Sequence, residues 1–136
     1  MDIEETGPEQ VESHWFIDLE WFQLNNRSFS ALTQHCLCVR CRERLRIDEE
    51  EVPVDEILAA IKDCCSKEPD FITAGSPVFE SIFRIFLANG NQPLSLEELD
   101  RQLIEWRAGN PYHTPVEVLS RLLENDRYYG LKRVAD

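Results

Sequence analysis

Three of the chain's five cysteines fall in residues 34–46, which read QHCLCVRCRERLR. Cys38 and Cys41 are separated by two residues, a spacing at which one turn can present two thiolates to a single ion. Zinc takes four ligands in a tetrahedron at about 2.0–2.3 Å, so two more donors must come from elsewhere in the chain. The candidates are Cys65 and Cys64 first, then His14, then Cys36 and His35. Burial without a metal is the competing use, because a free cysteine packs as a small apolar side chain.

Other chemistry finds less support. An odd number of cysteines leaves one thiol over, which does not suit a disulfide framework. A redox role for Cys38 and Cys41 needs a depressed thiol pKa, usually where a helix follows a strand, and the βαβ pattern that would supply this context is missing. His113 stands in a loop beside Tyr112, with no cysteine or second histidine near it in sequence. Glu97, Glu98 and Asp100 look like paired carboxylates, yet they fall in the first turn of an expected helix, where acids complement the dipole and cap free N–H groups. With no glycine-rich phosphate loop and no nucleophilic serine motif, the expectation is a protein that is not an enzyme.

The chain has 136 residues, 43% of them hydrophobic, enough for a buried interior. Its formal net charge of −12 works against nucleic acid as a partner, since DNA binding rests on cations that displace counterions from phosphates. The basic exception is Arg40, Arg42, Arg44 and Arg46, set between two acidic stretches. The plain reading of this cluster is a solvated face that neutralises the flanking acids. Arg40, Arg42 and Arg44, with Arg121, Lys132 and Arg133 near the other end, are the candidate contacts to a partner or to nucleic acid. No apolar run approaches the ~20 residues that cross a bilayer, and the first residues are acidic and polar, unlike a targeting segment, so a cytoplasmic location is expected.

These residues need elements to hold them. Residues 1–12 read as a disordered acidic tail. A helix is expected over 18–34, with Asn25-Asn26 as its weak point and Trp15, Phe16 and Ile17 adding bulk before it. An acidic linker at 47–52 precedes a helix opened by Pro53. On that helix Ile57, Leu58, Ile61, Cys64 and Cys65 share one face, so both cysteines point inward. Adjacent helical residues diverge by about 100°, so one is expected to ligate and the other to pack. Ser76-Pro77 opens a helix that is apolar on most of its circumference, and Asn89-Gly90-Asn91 ends it. Ser95-x-x-Glu98 is a capping box for the next helix, and Thr114-Pro115-Val116-Glu117 is another for the last. Residues 128–134 are β-prone.

Two resemblances follow. Leu37-Cys38-Val39-Arg40-Cys41-Arg42-Glu43-Arg44-Leu45 resembles the first half of a zinc ribbon, in which two thiolates on a tight turn face one ion and a following leucine anchors the turn; the second Cys-x-x-Cys is missing. Residues 76–134, with three capped helices, Gly90-Asn91-Gln92-Pro93-Leu94 leading into the second of them, and a terminal strand, resemble a winged helix-turn-helix domain of the kind found in small acidic subunits and accessory domains of the transcription machinery. Only three residues follow Arg133, so either the wing is absent or its strand pairs with residues 92–94 alone.

The expected protein is therefore mainly α. A helical, zinc-binding segment at 13–75 packs on a winged-helix-like segment at 76–136, with a minimal β-strand pair, as one shared core. The expected role is a small acidic zinc-stabilised protein-interaction module, an accessory factor of transcription or translation machinery drawn to a basic assembly. The alternatives are a DNA-binding regulator reading DNA through the helix after Pro115, and a thiol redox protein.

Overall fold

The computed structural model describes residues 13–47, 49 and 51–134, so the expected acidic tail at 1–12 lies outside the described residues, as do two positions of the linker and the last two residues of the chain. The protein is mainly helical with a small three-stranded antiparallel sheet.

Trp15 and Ile17 are buried while His14 and Phe16 are half-buried, an alternation that a strand satisfies, and residues His14–Ile17 form β1. Asp18 follows with extended backbone, and its carboxylate accepts from the Glu20 N–H at 3.2 Å to open α1, Leu19–Leu24. The helix expected over 18–34 breaks at Asn25-Asn26, where Asn26 takes φ +54°. Ser28 then caps α2, Phe29–Thr33, by accepting from Ala31 N–H at 3.0 Å. A 3-10 turn, Gln34–Cys36, leads to α3, Val39–Leu45, which Arg46 closes in the left-handed region at φ +56°. Next comes α4, Val54–Asp63, and a second 3-10 turn, Cys65–Lys67.

The remaining elements are α5, Val78–Ala88; β2, Leu94–Ser95; α6, Leu96–Trp106; α7, Val116–Glu124; and β3, Leu131–Arg133. Helix α5 is buried nearly all round, with Ile82, Phe83, Ile85, Phe86 and Leu87 at 1% exposure or less, and it packs against α4, α6 and β1. One apolar cluster draws on both parts of the chain, from Ile57 and Ile61 of α4 to Leu119 and Leu123 of α7.

The sheet order is β2-β1-β3. Trp15 stands opposite Leu94 on one side, and Ile17 opposite Leu131 on the other, both pairings antiparallel. This corrects the expected pairing of the terminal strand with residues 92–94: β1 lies between them, and the Trp15–Ile17 bulk belongs to the sheet. Gly130 makes the sharp entry to β3 at φ +71°, and a Cβ there would meet the Phe22 ring at 3.0 Å.

Three local expectations shift for one reason. Pro53, Pro77 and Pro115 take extended ψ angles near +140° to +150° and act as N-caps, so each helix begins one residue later than read. Thr114 is thereby moved outside the helix, and its capping box with Glu117 does not form. The Ser76 hydroxyl likewise turns back and accepts from Thr73 N–H at 2.9 Å. The Ser95–Glu98 box forms fully, with Ser95 N donating to Glu98 Oε1 at 2.9 Å and Glu98 N donating to Ser95 Oγ at 3.1 Å.

Candidate metal centre

The head of α3 and the tail of α4 meet across four cysteines. Cys38 is the N-cap residue of α3, and Cys41 sits one turn into it, so the Cys-x-x-Cys pair straddles a helix start where the ribbon resemblance implied a turn. Leu37 and Leu45, both buried, fasten the two ends of this segment to the core. From the other side, α4 stops at Asp63, because Cys64 adopts φ −134° and ψ −65°, outside the helical region. A helix running on through Cys65 would turn the two neighbouring cysteines about 100° apart. The break lets both sulfurs approach Cys38.

The Sγ atoms of Cys38, Cys41 and Cys64 all lie within 4.8 Å of one another. Cys38 Sγ is 3.8 Å from Cys64 Sγ and 3.5 Å from Cys65 Sγ. A tetrahedral ion with metal–sulfur bonds of about 2.3 Å requires sulfur–sulfur edges of about 3.8 Å. The Cys38 backbone N–H donates to Cys65 Sγ at 3.2 Å, and Arg44 Nη2 approaches Cys41 Sγ at 3.9 Å. Cys41 and Cys65 are buried, whereas Cys38 and Cys64 are half-buried, so the cluster sits at the edge of the core. A polar pocket of about 360 Å³ reaches Cys38 and Cys65, with His35, Arg42, Glu68 and Arg84 on its walls.

The thiols share protons unevenly. Burial pushes Cys38 up, but the Cys41 backbone N–H facing it and hydrogen bonds from the Cys65, Cys41 and Cys64 thiols outweigh burial and bring it down to about 7. Burial pushes Cys65 up, and Cys64 rises through its hydrogen bonds with Cys41 and Cys38. The cluster thus favours the thiolate at Cys38 over those at Cys64 and Cys65. Four cysteines arranged in this way can bind a metal ion, which would displace the thiol protons.

The other candidate ligands, His14, Cys36 and His35, do not join the group that Cys38, Cys41 and Cys64 form. His14 is on β1 opposite Ser95, beside Glu98. Cys36 is buried, and burial pushes its thiol up to about 11 against the opposing pull of the Arg84 guanidinium. His35 is exposed, and its carbonyl accepts from Arg84 Nη2 at 3.1 Å. Arg40 and Arg44 are exposed on α3, and Arg42 is half-buried there. Lys132 pairs with Asp18 at 3.1 Å and Arg133 with Glu124 at 2.8 Å, while Arg121 is exposed in the last turn of α7. His113 pairs with Asp100 at 2.8 Å. That pair lines a second, more apolar pocket of about 420 Å³ between α6 and the 107–114 loop, with Ile104 and Tyr112 exposed at its rim. The sequence reading passed over this pocket, whose one local signal was an exposed isoleucine and tyrosine on either side of Gly109.

Compared with protein-family models, with curated proteins and with solved structures, the chain matches none of them. Among the described residues no helix is long and apolar enough to cross a membrane.

Proposed function

We propose that the chain is a non-catalytic, zinc-stabilised protein-interaction module of the cytoplasm. Zinc is held by Cys38, Cys41 and Cys64, with Cys65 completing the tetrahedron. The observation that carries this reading is the meeting of three sulfurs within 4.8 Å from two separate helices, with a fourth 3.5 Å from Cys38. All-thiolate donors suit zinc, and four protein ligands mark a structural site, since a catalytic zinc keeps one position open.

Residues 76–134 act in this proposal as a winged-helix-like unit. The order helix, strand, helix, helix, strand from α5 to β3 supports it, with β1 taking the central sheet position that a wing's return strand would fill. The partner is a protein, and the net charge of −12 favours a basic assembly such as those of transcription or translation. DNA suits the surface less well. Lys132 and Arg133 are already engaged by Asp18 and Glu124, which leaves few cations beside α7 to meet phosphates.

Native mass spectrometry of the untagged chain, before and after a chelator, tests the zinc. One zinc per chain that a chelator removes is the expected result. A metal-free chain with Cys38 alkylating fastest would replace this reading with the thiol redox one.

A further inference from the structure

The arginine cluster of α3 has a use that neither a partner surface nor a solvated face requires. Arg44 lies three residues after Cys41, hence on the same side of α3, and its Nη2 stands 3.9 Å from Cys41 Sγ. In a chain with 26 Asp and Glu against 14 Lys and Arg, a carboxylate partner would be easy to supply, yet this guanidinium rests on a sulfur. Its neighbours differ. Arg46 is committed to Glu49 at 3.3 Å, and Arg40 is exposed with no ion pair or hydrogen bond among the described residues. Arg42 lines the pocket that Cys38 and Cys65 also line.

We propose that Arg44 is a positioning cation of the metal–thiolate centre, offsetting the negative charge that four thiolates leave around a divalent ion and holding Cys41 in place to ligate. The inference rests on the zinc reading above. A divalent cation with four thiolates carries two uncompensated negative charges. The groups around metal ligands routinely tune such sites through charge-assisted hydrogen bonds. Arg44 supplies a delocalised charge that cannot be deprotonated, with several N–H donors on one plane. Arg42 adds to the same field from the Cys38 and Cys65 side. Arg44 and Arg42 are, on this account, part of the metal site, and Arg40 and Arg46 are the members of the cluster that the site does not use.

The test is the rate at which the zinc-loaded full chain gives up zinc to excess chromogenic chelator, at low and at high salt. The variants are Arg44→Met, Arg44→Lys and Arg40→Met, the last removing an equal charge from the same helix. Arg44→Met is expected to release zinc about tenfold faster at low salt, the lower end for groups behind metal ligands because Arg44 is exposed. Salt should narrow that difference, since it screens an exposed cation. Arg44→Lys should recover most of the wild-type rate, and Arg40→Met should match wild type. Equal rates for Arg44→Met and Arg40→Met, or a difference that salt leaves untouched, would overturn the proposal while leaving the zinc reading intact. A wild-type chain that takes up no zinc would overturn both.

Discussion

Asn91 holds both backbone groups of Ile17, across 74 residues of sequence: its Nδ2 donates to Ile17 O at 2.9 Å, and its Oδ1 accepts from Ile17 N at 2.8 Å. The bond pair has a clear physical cause. Strand β2 reaches only as far as pairing with His14 and Trp15, so Ile17 would be left without a partner on that side of the sheet. Asn91 stands in for the missing strand. It can do so because it sits just past α5 at φ +62°, with its own N–H donating to Phe86 O at 2.7 Å.

Substituting Asn91 should therefore loosen the joint between β1 and the segment that follows α5. Asn91→Ala removes both bonds and places a Cβ residue with no compensating hydrogen bonds in the left-handed region, for a loss of about 2–4 kcal/mol. Asn91→Gly keeps the backbone geometry and should lose only about 1–2 kcal/mol. Urea unfolding of the two variants checks the order; Ala as stable as Gly would refute the role of the left-handed conformation.

Metal removal should act locally. A metal ion at the four cysteines would link α3 to the end of α4, while α5 packs chiefly on α4, α6 and β1. Chelation, or Cys38→Ser, is expected to speed amide exchange in residues 34–46 and 64–68 by about tenfold or more, while the amides of α5 keep their protection. Uniform exchange before and after chelation would show that the cysteines only pack.

The parts of this structure legible in the sequence are those whose causes are local. The apolar circumference of α5, the Ser95–Glu98 box and the stop at Asn89-Gly90-Asn91 each depend on residues within a few positions of one another, and each reads directly. The central strand does not. His14–Ile17 is four residues long, and its partners Leu94 and Leu131 lie some eighty and more residues away, so an aromatic run before a helix gave no sign of pairing. The cysteine cluster falls between these cases. Periodicity brought Cys64 and Cys65 to the inward face, but only the departure of Cys64 from helical angles turns both sulfurs toward Cys38. Helix ends are set by one residue's backbone, which pattern alone locates poorly.

The centre of the core is the place where one side chain matters most. Phe86 is fully buried on α5, in the layer between α4, α6 and β1. Phe86→Ala should cost about 3–5 kcal/mol, a large share of the stability of a domain this size, and Phe86→Leu considerably less. Thermal melts of the two variants give the comparison. By contrast, truncating Leu24, which is 78% exposed, should change stability by no more than about 0.5 kcal/mol.

Glu98 should make part of the stability depend on pH in a direction that follows from its surroundings. The Ser95 backbone N–H holds the carboxylate below the ordinary glutamate range; burial is the next-largest effect and opposes this, and the Ser95 hydroxyl, His14 and Arg101 reinforce the lowering. A group whose folded value lies below its unfolded one stabilises the fold above the unfolded value, and that contribution disappears as pH falls through the folded value. Glu98→Gln is the informative variant. Glutamine can still accept from the Ser95 N–H, so the hydrogen bond survives while the charge at the head of α6 is lost. Wild type should exceed the variant by about 0.5 kcal/mol at neutral pH, the gap holding down to about pH 5 and closing below about pH 4. The comparison belongs in the metal-free chain, where protons and metal do not compete for the thiolates. A gap of the same size at every pH would mean that Glu98 acts through its shape alone, and the charge would have no part in starting α6.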